Sequence, residues 1–242
     1  MQTDVVAEVA VNKIPQAFFT GATIAGALAA LLLAHWLLRI IFTNRKEGVE
    51  KKIYLYPLPI RIWHWTNAIM FMALLFTGVT GWLKLWNMKG ALINAHIVLG
   101  SVYIFLWVFF IAYNMMGNGK NYIIRAGLVV GCIRQAGYYL IGVMIGDKEP
   151  FAPSADKKFN PLQQITYASV IYALIPLFIL SGILQMIKPI HGLMMRTHIF
   201  IGAFAAALFV IVHLYMALSN NSLKSMIDGY ERYKESNNNA PE

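Results

Sequence analysis

Thr197-His198-Ile199-Phe200-Ile201-Gly202-Ala203-Phe204-Ala205-Ala206-Ala207-Leu208-Phe209-Val210-Ile211-Val212-His213-Leu214-Tyr215 carries no charged residue, and two histidines punctuate it. The run continues without Lys, Arg, Asp or Glu to Leu223. It exceeds the roughly 20 residues that a membrane-spanning helix needs. Four more runs of this kind occupy 14–38, 62–83, 90–119 and 159–187. With 58% hydrophobic and 13% charged residues in 242, the chain is too apolar for an ordinary soluble domain. The sequence predicts an all-α integral membrane protein of one domain. Its five transmembrane helices are expected at about 16–42, 60–85, 90–114, 162–187 and 195–219, and no internal repeat organises them.

The net charge of +9 is a topology signal. With the N-terminus outside, 15 Lys and Arg fall on inner segments and five on outer ones (Lys13, Lys84, Lys89, Lys188, Arg196). The positive-inside rule then sets the N-terminus out and the C-terminus in. The inner excess suits anionic lipid, and no nucleic-acid partner follows from it. Asp4 and Glu8 precede the first apolar run and no basic n-region leads it, so this run is expected to remain as a helix. Arg134 and five glycines interrupt 126–146, so 115–158 is expected to form an interfacial or re-entrant segment on the inner face. A polar tail follows the last helix, its end at 235–242 of disorder-type composition.

Histidine inside a span is a functional-site hypothesis. In this topology His64 lies near the inner face and His96 near the outer one. The last helix carries His198 outside and His213 inside, about 22 Å apart and rotated by roughly 60°, so both can face the bundle interior. Depth therefore pairs His64 with His213 and His96 with His198. Two imidazoles from separate helices at one depth suit the axial positions of a haem, and the four residues predict two b haems in the four-helix bundle. Zinc sites gather four ligands in one place, a poor match to two pairs a bilayer apart. Gly100 and Gly202, each four residues after a histidine, and Gly78 could give room to a flat macrocycle or simply pack helices. Arg61 and Arg196 could pair with haem propionates or anchor at the interface. His35 has no depth-matched partner and reads as a hydrogen-bonding residue; His191 could compete with His198. The single Cys132 excludes an intrachain disulfide or a self-ligated iron–sulfur cluster.

The stretch Pro57-Leu58-Pro59-Ile60-Arg61-Ile62-Trp63-His64-Trp65-Thr66-Asn67, the buried His96, Lys158-Phe159-Asn160-Pro161-Leu162-Gln163-Gln164 and the His198/His213 spacing resemble a known family. They are similar to the dihaem cytochrome b (gamma) subunits of bacterial formate dehydrogenases, thiosulfate reductases and nickel–iron hydrogenases, over about 55–220. The resemblance implies a subunit of the bacterial inner membrane that anchors an iron–sulfur subunit and, through it, a catalytic subunit. It implies that the His96/His198 haem faces this periplasmic partner. The His64/His213 haem would exchange electrons with a quinone near the cytoplasmic face. Asn160 and Gln163 match the quinone-lining region, or equally cap the fourth helix. The first helix is extra relative to the four-helix formate dehydrogenase subunit. No Asp or Glu lies inside a span, so nothing suggests a carboxylate proton relay. The alternatives are a free-standing dihaem quinone reductase, which lacks the iron–sulfur partner, and a transporter without haem.

Overall fold

The computed structural model describes residues 2–42, 49–83, 89–119, 123, 127–151, 158–187, 193–219 and 222–235. Its elements are α1 (Gln2–Phe42), β1 (Val49–Tyr54), α2 (Leu58–Trp82) and α3 (Lys89–Asn118). Then follow α4 (Leu128–Ile145) and α5 (Pro161–Ser169, Val170–Leu174, Ile175–Ile187). The chain closes with α6 (Leu193–Phe200, Ile201–Ala205, Ala206–Ser219), α7 (Ser222–Asp228) and β2 (Tyr230–Glu235). The middle pieces of α5 and α6, and Tyr138–Gly142 within α4, are π-helical turns.

Among the described residues, five helices are long and apolar enough to cross a membrane: Phe19–Phe42, Leu58–Gly81, Gly90–Gly117, Leu128–Ile145 and Pro161–Met186. The span expected at 195–219 is not among these five, its Ala206–Ser219 passing only together with Ser222–Asp228 as a bent pair. The surface inverts the usual polarity. Phe105, Phe109 and Met116 are exposed, whereas Thr77, Asn114, Gln135 and Ser181 are buried. That is the pattern of a chain solvated by lipid, where polar side chains turn inward to find partners. The protein is a multi-pass helical membrane protein.

Expectation and structure differ in several places. Within 115–158 the described residues hold two helical stretches: α3 continues to Asn118, and α4 itself has the length and composition of a span. Its face of Leu128, Gly131, Gln135, Tyr139 and Gly142 is buried, while Val129, Ile133 and Leu140 are exposed. Residues after 219 form α7 and β2, and Glu235, counted with the tail, is the last residue of a strand; 236–242 lie outside the described residues. The added strand pair runs antiparallel, from Val49 opposite Glu235 to Tyr54 opposite Tyr230. Gly229, at φ 87°, turns the chain from α7 into β2. A Cβ there would lie 2.6 Å from Tyr54 Cε2 and 2.7 Å from the Tyr56 carbonyl oxygen, so only glycine fits.

The chain divides into two compact units. Unit 1 comprises 1–31, 66–110 and 173–214, and holds His96, His198 and His213. Unit 2 comprises 32–65, 111–172 and 215–242, and holds His35, His64, α4 and the strand pair.

Candidate metal centre

Unit 1 brings His96 of α3 and His198 of α6 together, with ring centroids 6.1 Å apart and planes at 83°. A metal–imidazole bond of about 2.0 Å puts two axial ring centroids about 6.3 Å apart. The pair thus stands at the separation that one iron between two imidazoles requires.

Both rings are held from behind in the same way. His96 Nδ1 lies 3.0 Å from the Leu74 carbonyl oxygen and 3.1 Å from Thr77 Oγ1. Thr77 spends its own hydrogen on the Ala73 carbonyl at 2.7 Å, so Oγ1 offers His96 a lone pair. Two acceptors leave Nδ1 as the N–H nitrogen, and the lone pair falls to Nε2. His198 repeats this: it bonds the Phe178 backbone, and its Nδ1 lies 2.9 Å from Ser181 Oγ, whose hydrogen goes to the Phe178 carbonyl at 3.1 Å. Imidazoles that bind metal through one nitrogen ordinarily donate the other N–H to such an acceptor. The residues fit a bis-histidine haem.

A glycine completes each cradle. A Cβ on Gly78 would stand 2.9 Å from His96 Cε1, and one on Gly182 3.4 Å from His198 Cε1. Gly78 therefore makes room for the ligand ring itself. Gly100 meets only Leu74 at 3.9 Å and Gly202 only Phe178 at 3.6 Å. Sequence reading overlooked Thr77, Ser181 and Gly182, although a signal exists. Leu74-Leu75-Phe76-Thr77-Gly78 and Phe178-Ile179-Leu180-Ser181-Gly182 share one order: residue with the accepting carbonyl, hydroxyl three on, glycine four on.

The other candidates are placed as follows. His213, in unit 1, stacks on Phe209 with centroids 5.4 Å apart. His64, in unit 2, meets Trp65 edge-on at 5.3 Å. Arg61 donates to the Ile227 carbonyl and Trp65 Nε1 to the Met226 carbonyl at 3.0 Å, so both secure the end of α7. Arg196 lies in α6 with its side chain outside the described residues, as does His191 altogether. His35 Nε2 donates to the Leu140 carbonyl at 2.9 Å, and Nδ1 accepts from Tyr215. Both its nitrogens are spent, as a hydrogen-bonding residue requires. Asn160 and Gln163 form a capping box at the start of α5, with Pro161 at its first position. Asn160 Nδ2 also donates to the Tyr139 hydroxyl at 3.0 Å.

Beside this cap, Glu149 accepts from buried Gln135 at 3.0 Å and bonds Tyr139. Burial raises the Glu149 carboxyl above its ordinary range, against the pull of the Gln135 and Tyr139 hydrogen bonds; Glu231 is raised by burial too. A carboxyl raised in the folded chain contributes stability below its unfolded pKa, and loses it as pH climbs through the folded value. Glu149→Gln keeps an acceptor for Gln135 and cannot ionise. It is expected to raise the melting temperature at neutral pH and flatten the decline above the ordinary carboxylate range, read by thermal melts in detergent.

The comparisons with known proteins agree on the chemistry. Residues 55–229 match the family described as prokaryotic cytochrome b561. The Escherichia coli (strain K12) protein YdhU, named as a cytochrome, is 36% identical over 230 residues, covering 84% of this chain and 87% of that protein. No solved structure matches. With the family match spanning all four elements that carry the paired histidines and their cradles, α2, α3, α5 and α6, the chain belongs to the prokaryotic cytochrome b561 family, membrane b-type cytochromes of electron transfer.

Proposed function

We propose that the chain is a dihaem anchor subunit that carries electrons between an iron–sulfur partner on the periplasmic face and the quinone pool. The observation that carries this reading is the His96/His198 pair, with both Nδ1–H groups committed and both Nε2 lone pairs left for iron. Bound haem b supplies the one-electron carrier. The protein holds it by Nε2 of each histidine, keeps water away with apolar helix, and sets ligand basicity through the Leu74 and Phe178 carbonyls. His64 and His213 would hold the second haem; their matched depth along the sequence supports that pairing. The membrane is the bacterial inner one, with α4 kept at the inner face, the N-terminus periplasmic and the C-terminus cytoplasmic; the 15-to-5 charge split of that topology and the approach of His96 to His198 support this.

Quinone is proposed to react near the cytoplasmic face, so that electron crossing separates charge. Asn160 Oδ1 and Nδ2 are used by the cap and by Tyr139, and Gln163 Oε1 accepts from the Asn160 N–H. Any contact they make with quinone would run through the Gln163 amide nitrogen, or through a rearranged cap. The inner Lys and Arg residues contact anionic lipid.

The test is a pyridine haemochrome assay on the purified full chain, paired with mild-detergent purification from the native host. About two haems b per chain and a co-purifying iron–sulfur protein support the reading. Folded protein without haem overturns it, and haem without the partner leaves a free-standing quinone reductase.

A further inference from the structure

The two cradles serve one ligand pair from opposite sides. Leu74, Thr77 and Gly78 lie on α2 and hold a histidine of α3; Phe178, Ser181 and Gly182 lie on α5 and hold a histidine of α6. Rotation of an imidazole about its Cβ–Cγ bond is governed by where Nδ1–H must point. Here two acceptors, a carbonyl and a hydroxyl oxygen, define that direction for each ring. Gly78 then admits the edge of the His96 ring where a Cβ would crowd it at 2.9 Å, whereas a Cβ on Gly182 would make ordinary contact with His198 at 3.4 Å. Ring orientation is therefore fixed twice over at each histidine, and independently at the two.

The consequence is electronic. An imidazole donates π density to the iron d orbital that lies perpendicular to its plane. Parallel ligand planes load the same orbital and split the pair, whereas crossed planes load both equally. We infer that the two cradles are positioning devices that hold the His96 and His198 planes crossed, so that a low-spin ferric iron between them has a nearly degenerate, near-axial ground state. This rests on the reading that these two histidines hold a haem. It goes further in naming Thr77 and Ser181, neither of which touches iron, as what sets the electronic character of that haem and not of the other.

The experiment is low-temperature electron paramagnetic resonance of the oxidised full-length chain, with His198→Ala used to identify the signal of this haem. The expected result is a single broad low-field line, lost in His198→Ala. Thr77→Val keeps the shape of threonine and removes the acceptor; it is expected to convert the line towards a three-line rhombic spectrum, with Thr77→Ser retaining the wild-type form. Ser181→Ala reads the same effect from the other ligand, should Thr77→Val fold poorly. Either variant is also expected to weaken haem retention by about tenfold or more. A rhombic three-line signal from this haem in the wild type, or an unchanged line in both Thr77→Val and Ser181→Ala, overturns the inference. If haem is present but no signal depends on His198, the ligand assignment fails instead, and the inference with it.

Discussion

Replacing His198 by alanine is expected to cut bound haem from about two per chain to about one, with the second left in place. The imidazole contributes a bond that nothing nearby can replace. Its departure removes one axial ligand and leaves Ser181 and the Phe178 carbonyl facing an apolar void. His96→Ala should give the same stoichiometry, because each ligand is useless without the other. His35→Ala is the control: its two nitrogens are engaged by Leu140 and Tyr215, so the loss is about 1 kcal/mol of stability and no haem. The measurement is haem per protein in all three variants. Loss of haem from His35→Ala, or full retention in His198→Ala, would show that the pairing is misassigned.

Gly78→Leu should be the most damaging change that alters no polar group. Alanine alone would place its Cβ 2.9 Å from His96 Cε1, and leucine adds three further carbons in that direction. The ring must turn off the Leu74 carbonyl and Thr77, or α2 and α3 must move apart. Overpacking of this sort costs about 1–3 kcal/mol, and a displaced ligand ring also forfeits the haem between His96 and His198. Gly26→Ala, where nothing lies within 4 Å of the added carbon, should be neutral or slightly stabilising. Haem content and thermal melting together separate the two effects. A Gly78→Leu chain with wild-type haem and stability would mean that the cradle is not closed as described.

Four of the expected spans and the approach of His96 to His198 were legible because lipid imposes a coarse code. Long uncharged runs must be helices, and depth along each run pairs residues without any knowledge of packing. Asn160 and Gln163 were legible as a cap because the box is a local spacing. Thr77 and Ser181 were hidden by ordinariness, since hydroxyl residues bond backward to their own helix everywhere. Only their recurrence three residues after a carbonyl and one before a glycine distinguishes them. Arg61 fits two roles by position, and only the fold shows it reaching the Ile227 carbonyl. In α4 the residues that read as breaks sit within continuous helix, Arg134 exposed and Gly131 and Gly142 on the packed face. The strand pair was beyond reach: Val49–Tyr54 is short and charged, and its partner lies in another part of the chain.

That distance sets a schedule for biogenesis. Tyr54 and Tyr230 are 176 positions apart, so at about 5–20 residues per second β1 waits roughly 10–35 s for β2 to be synthesised. Every spanning helix has left the ribosome before the strands can meet. The sheet is therefore the last piece to close, and a chain that stops before Tyr230 would carry its helices with an open strand edge. An unclosed edge of that kind is what a quality-control protease could read as the mark of an unfinished protein.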